Sequence, residues 1–245
     1  MAKKNKTTQK KQAASKVTQP PLREKSRTAK LTIAAMLTAV AFVLQYIEVS
    51  IPIVPSFLKL DFSDVPELIG AFVIGPLYGV VICLVKNIIH LPFGSSNGVG
   101  ELANFLFGAA FAFTAGIIYK HKKTKKTALI ACISGAIAMA AVSVPINYFL
   151  VYPIYAELWT HGNMDAIISM YKTLLPAADS LLKALLIFNV PFTIGKGLID
   201  AAITMLIYKP LSNVFVKLNQ SLNSSGGRKK AKSDGKKTVD TRKET

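Results

Sequence analysis

The stretch VPELIGAFVIGPLYGVVICLVKNIIHL, Val65 to Leu91, decides how this chain is arranged. It is apolar and long enough for one tilted crossing of a hydrocarbon core, which takes about twenty residues for about 30 Å. Yet Gly75-Pro76 cuts it, and proline removes a backbone donor and disfavours helix in the residue before it. The charges on either side decide between one span and two. Lys and Arg are retained on the cytoplasmic side of membrane spans. Two basic blocks bracket the stretch, the tail from Met1 to Lys30 and KHKKTKK from Lys120 to Lys126. With residues 31–49 and 98–119 as spans, a single helix over 65–91 would put the two blocks on opposite sides. Splitting it at Gly75-Pro76 gives four crossings and puts both inside.

The same rule places two further spans, 127–150 and 184–207, before the basic C-terminus. The expected fold is an all-α integral membrane protein, a six-transmembrane-helix bundle with N and C termini cytoplasmic. Residues 31–218 are expected to form one membrane domain, which holds the function, between basic cytoplasmic tails at 1–30 and 219–245. Both tails read as disordered, because they hold too few apolar residues to offset the entropy of ordering. The first helical half before Gly75 is short, so it borrows length from the preceding loop or stays buried among other helices. Two segments face outward at length, 50–64 and 151–183, and two flaps over a bundle suggest a lid.

Of the 245 residues, 30 are Lys or Arg and 13 are Asp or Glu, for a net charge of +17. Nucleic acid is not the expected partner, since no nucleic-acid fold surrounds the charges and their flanking positions suit a lipid bilayer. The long basic start with no A-x-A-like site after the apolar stretch is not a secretory signal. Gly195-Lys196-Gly197 lacks the upstream glycine and the following hydroxyl of a phosphate loop. His90, His121 and His161 lie in separate segments with no H-E-x-x-H, and no G-x-S-x-G elbow occurs. No catalytic residue, metal ligand or cofactor is expected. Cys83 and Cys132 fall in apolar segments and read as packing residues.

Charged groups at membrane depth are costly and are therefore functional candidates: Lys86, Glu101, Lys196 and Asp200. Asn189, Thr193 and Lys196 follow i, i+4, i+7 spacing on one face of the last helix. Lys196 either meets a polar ligand there, pairs with Asp200, or snorkels to an interface. Asn147, two residues after Pro145, with Tyr148 and Tyr152 beyond it, suits a flat heteroaromatic ligand. Interhelical hydrogen bonding and an aromatic interface belt are the alternatives. Gly98, Gly100, Glu101 and Asn104 open the fourth helix, where glycines let a ligand approach backbone N–H groups; Glu101 accepts from a ligand or caps that helix. Ala35 and Ala39 form a small-xxx-small pair beside Ala34 and Thr38, a helix-contact pattern.

FLKLDFSDVPELIGAFVIGPLYGVVICLVKNIIH from Phe57, GVGELANFLFG from Gly98 and PFTIGKG from Pro191 resemble the substrate-binding (S) components of energy-coupling factor (ECF) transporters, of the riboflavin-specific type. The resemblance covers about 31–218 and is most specific over KxDFSDxPxLIGxFxxGPxxG. It implies a six-helix subunit in a bacterial cell membrane that captures riboflavin outside and joins one transmembrane coupling protein and two ATP-binding subunits. It also implies a ligand under the first outer loop and against helices four to six. The site residues are then Lys59, Leu60, Asp61 and Phe62, with Asn104, Asn147, Tyr148, Thr193 and Lys196. Ala35 and Ala39 would face the coupling protein. Similar proteins commonly carry Asn where Thr193 stands, and the shorter side chain loses reach.

Riboflavin is uncharged, with a tricyclic face for Phe57, Phe62 and Tyr148 to cover. Its ribityl chain would bond with Asn147, Thr193 and Lys196. The deep Lys196 disfavours cationic thiamine unless Asp200 neutralises it. Related S components take thiamine, pyridoxine or folate within one architecture. The different-class alternatives are a solitary transporter, which would show an internal repeat, and an anchoring subunit that binds no small molecule.

Overall fold

The computed structural model describes residues 27–208 except 52, 53, 56 and 57. The tails therefore lie outside the described residues apart from 27–30, as do Phe57 and the last stretch of the 31–218 domain. Helix α1 is Arg27–Tyr46, and a two-stranded antiparallel hairpin follows, β1 (Val49–Ser50) with β2 (Lys59–Leu60), paired Val49 to Leu60 and Ser50 to Lys59. Next come α2 (Asp64–Val73), α3 (Pro76–His90) and α4 (Val99–His121). A continuous helical run Lys125–Thr160 forms α5, Met164–Leu174 forms α6, and Leu181–Tyr208 forms α7.

The break at Gly75-Pro76 is where the local chemistry puts it. Gly75 has φ +124°, a backbone state that residues with a Cβ rarely adopt, and Pro76 sits in the first turn of α3, where its missing N–H would have no helical partner. Pro66 is tolerated in α2 for the same reason, and Asp64 and Glu67 in that first turn suit the positive end of the helix dipole. The ten residues of α2 rise only about 15 Å, and every residue from Asp64 to Phe72 is buried, so this half is sheathed by its neighbours.

Among the described residues three helices, α4, α5 and α7, are long and apolar enough to cross a membrane. Lys30–Tyr46 and Pro76–His90 are shorter apolar helices. The first helix stops three residues before the expected Val49, because the chain turns into β1. The fifth runs on to Thr160 instead of ending at Leu150, and the last starts at Leu181 rather than Ala184. The expected outer segment 151–183 thus begins as a helical extension and folds back through α6.

Central α4 packs against α2, α3 and α5, and α1 against α2 and α3. Large apolar side chains such as Met36, Leu77, Ile88, Ile137 and Leu206 are exposed on the outside of the bundle, as a lipid-facing surface requires. One end collects the basic residues. Lys30 lies over the Tyr78 ring at 5.9 Å, Phe72 packs on Tyr119 at 4.4 Å, and the exposed segment Lys120–Lys126, which spans the end of α4 and the start of α5, follows Tyr119. The opposite end carries the hairpin, which the α3–α4 loop meets where Lys59 Nζ donates to Ser95 Oγ at 3.3 Å.

Candidate functional site

The site starts from the turn DFSD that delivers the chain from the hairpin into α2. Asp61 Oδ1 accepts from the Ser63 N–H at 2.8 Å and from the Ser63 hydroxyl, which in turn accepts from the Lys86 ammonium. Lys86, fully buried on α3, also lies 2.6 Å from Glu67 Oε1 and 3.6 Å from Asp64 Oδ1. From α7, Lys196 contacts Asp64 Oδ2 and stands 3.5 Å from Asp61 Oδ2 and 3.7 Å from Asp200 Oδ2. Lys196 is therefore neither a snorkelling residue nor a simple partner of Asp200. It is held by three acids from two distant parts of the chain.

Asp61, Asp64, Glu67 and Asp200 outnumber Lys86 and Lys196 in this buried cluster by two. Such charges are tolerated away from water only when paired or hydrogen-bonded. Burial by itself would push the Asp61 carboxyl up. The Lys196 and Lys86 cations and the Ser63 hydroxyl and N–H overcome that and hold it below the ordinary carboxylate range.

Directly above Lys196 lies a cavity of about 120 Å³, walled by the hairpin, α4, α5 and α7. Its polar groups are Lys59, Asp61, Asn104, Asn147, Asn189, Thr193 and Lys196; its apolar cover comes chiefly from Phe107, Met139, Tyr152, Tyr155 and Phe192. Six of the expected residues, Lys59, Asp61, Asn104, Asn147, Thr193 and Lys196, thus come together. Leu60, Phe62 and Tyr148 do not line it. Successive residues of a strand point to opposite sides, so turning Lys59 of β2 inward turns Leu60 away, and Phe62 lies beyond the strand. Tyr148 is 39% exposed and packs edge-on to Phe149.

Two π turns explain why the aromatic wall is Tyr152 and Tyr155 instead. Asn147–Val151 in α5 and Leu185–Asn189 in α7 are π-helical, with Tyr152 N–H bonded to Asn147 O and Val190 N–H to Leu185 O. Each turn widens the helix by one residue, so the residue five positions on shares the face. Asn147 and Tyr152 therefore both face inward. Prolines at 145, 153 and 191 flank these turns, and each removes a ladder donor. The turns place a buried network: Tyr171 and Tyr152 share a hydroxyl contact, Tyr171 Oη donates to Asn189 Oδ1 at 2.8 Å, and Asn189 Nδ2 donates to Tyr152 Oη at 2.9 Å. The Asn189–Thr193–Lys196 spacing in the sequence points to Asn189. Nothing in it points to Tyr155 or Tyr171.

A second, more polar cavity of about 300 Å³ adjoins the first and shares Lys59, Asp61, Gly100, Asn104 and Tyr155 with it. Its further walls include Gln45, Glu48, Ser95, Ser96, Glu101 and Trp159. Lys59 pairs with Glu48, and Tyr155 stacks on Trp159 at 4.3 Å. Glu101 neither caps α4 nor stands free: it accepts from Ser96 Oγ at 2.7 Å and lies 3.0 Å from His90 Nδ1. Gly100 N–H donates to Ser96 Oγ at 3.0 Å, so it is not open to a ligand. Among the described residues no group of acids, histidines and cysteines is arranged to hold a metal ion.

On α1, Ala34 and Thr38 are buried against the bundle, whereas Ala35 and Ala39 face outward.

The family model described as "ECF transporter, substrate-specific component" matches residues 29–208. The chain is 36% identical over 184 residues to "Riboflavin transporter RibU" of Staphylococcus aureus (strain TCH60), covering 75% of this chain and 90% of that protein. It is 32% identical over 184 residues to "Riboflavin transporter FmnP" of Bacillus subtilis (strain 168), covering 73% and 90%. A solved structure, "Structure and mechanism of the S component of a bacterial ECF transporter", is 35% identical with a TM-score of 0.62 and covers 77% of this chain and 98% of that one.

Proposed function

This chain belongs to the substrate-specific components of ECF transporters, and on that premise we propose that it is the riboflavin-binding subunit of a bacterial vitamin uptake system. It resides in the cell membrane and works with a transmembrane coupling protein and two ATP-binding subunits. It has no phosphate loop of its own, and its task is capture and release without covalent chemistry.

The observation that carries the ligand assignment is the first cavity. An uncharged tricycle needs flat apolar cover with a few directed polar groups at one edge. Phe107, Met139, Tyr152 and Phe192 supply the cover; Asn147, Asn189, Thr193 and Lys196 supply the edge, with Asn104 and Asp61 across from them. Lys196 donates from an ammonium whose charge Asp64, Asp61 and Asp200 already balance. A neutral ligand therefore meets a hydrogen-bond donor at Lys196 and no unbalanced positive charge there.

In this reading α1, α2, α3, α4, α5 and α7 are the six crossings, and the end bearing Lys30 and Lys120–Lys126 is cytoplasmic with both termini. Residues 31–218 are the membrane domain and the flanking tails are cytoplasmic. The hairpin is the outer lid, fastened by Lys59 to Glu48 and Ser95. The small outward face of Ala35 and Ala39 lets the coupling protein approach closely.

Titration of riboflavin against detergent-purified protein, followed by quenching of flavin fluorescence, tests the proposal. Saturable quenching is expected for the wild type, with weaker binding in a Lys196→Ala, Asn147→Ala double variant. Binding of thiamine or another vitamin in place of riboflavin would overturn the ligand assignment.

A further inference from the structure

We infer that Lys86 and Ser63 are positioning residues for ligand capture: without touching the ligand, they fix the Asp61 carboxylate at the cavity edge, where the hairpin joins α2. This rests on the flavin reading of the first cavity. Neither Lys86 nor Ser63 lines either cavity, and both are fully buried, whereas Asp61 lines both. Whatever they contribute to binding therefore passes through a neighbour. Ser63 also departs from a local rule. It stands at the N-cap of α2, where a serine side chain ordinarily accepts from the first turn, yet it makes no capping bond. Its hydroxyl bridges Lys86 and Asp61 instead.

Donor counting sets the direction of this influence. An ammonium has hydrogens and no lone pair, so in its contact with Ser63 Oγ Lys86 can only donate. The Ser63 hydroxyl then turns its one hydrogen to Asp61 Oδ1, and the cation behind it makes it a stronger donor. The same carboxylate oxygen accepts the Ser63 N–H at 2.8 Å. With Oδ1 held by both donors, Oδ2 is directed to the cavity side, 3.4 Å from Asn104 Nδ2 and 3.5 Å from Lys196 Nζ. Asp61 follows directly on β2, so fixing it also fixes the exit of the hairpin. Charge balance accounts for the approach of Lys86 to Glu67 Oε1 at 2.6 Å. It does not account for the contact with Ser63, which is neutral and reaches from α3 to the turn that carries Asp61.

The test is a double-mutant cycle in riboflavin affinity, measured on the full chain in detergent. Ser63→Ala removes the bridging hydroxyl, while Asp61 keeps the backbone N–H and Lys86 keeps Glu67 and Asp64. Riboflavin should then bind roughly tenfold more weakly. The double change Lys86→Met, Glu67→Gln removes the cation together with its nearest acid, so that no buried charge loses its only partner, and it should give a similar loss. Asp61→Ala removes the group through which both act. In that background each change should weaken binding by less than about twofold, because residues that act through a shared partner do not add. A contribution from packing α2 against α3 alone would weaken binding by the same factor with and without Asp61. Undiminished affinity in Ser63→Ala, or an equal loss in both backgrounds, overturns the inference alone. Failure of the wild type to bind riboflavin overturns the flavin reading and this inference with it.

Discussion

Replacing Lys196 with methionine keeps an unbranched side chain one atom shorter and removes the cation that Asp61, Asp64 and Asp200 share. Lys196 is 6% exposed, while Asp64 and Asp200 are each 1% exposed, and neither Asp200 oxygen has a hydrogen bond among the described residues. Removing one partner of a buried ion pair costs about 3–5 kcal/mol, because the remaining charge is left unpaired. For a chain of this size about 1 kcal/mol corresponds to roughly 2–4 °C in Tm, so the expected fall is about 6–20 °C. The assay is thermal unfolding of the detergent-solubilised protein at one fixed scan rate, wild type beside variant. A Lys196→Met, Asp200→Asn double variant isolates the electrostatic part, since it removes one of the stranded carboxylates, and it should regain several degrees. A loss below about 1 kcal/mol in the single variant, or no recovery in the double, would refute the view that these acids depend on Lys196.

Tyr171→Phe deletes the hydroxyl that donates to Asn189 at 2.8 Å; a loss of about 1–3 kcal/mol in stability is expected, with weaker riboflavin quenching as Asn189 loses its orientation. Gly108→Val would place a Cβ 2.8 Å from both Cys83 Sγ and Glu67 Oε2, forcing α4 off the ion cluster at a cost of about 1–3 kcal/mol, read in the same thermal assay. Gly195→Ala is the opposite case. Nothing lies within 4 Å of its added Cβ, so the gain in helix propensity should stabilise by about 0.5–1 kcal/mol and raise Tm. Lys183→Ala removes only the exposed pair with Asp179 at 2.8 Å, and no resolvable change in Tm is expected.

Helical periodicity and local backbone chemistry were enough to determine a good deal from residue order alone. Gly75-Pro76 could be read as the break in the 65–91 stretch, because glycine admits the positive φ found there and proline has no N–H to continue the helical ladder. The Asn189–Thr193–Lys196 row was readable for a similar reason, since a regular helix carries i, i+4 and i+7 on one face. The two π turns then limited that reading. Each shifts the face by one residue, so Tyr148 leaves the wall and Tyr152 and Tyr155 enter it, although the prolines near both turns hinted at an irregular ladder. What only the tertiary structure decided is the partnership of charges. The sequence offered Lys196 a single neighbour, Asp200 at i+4, whereas its hydrogen-bonded partner is Asp64, 132 residues away. No local rule reaches across that separation. Packing α2 against α7 brings the two together, and the need to pair charge away from water keeps them there.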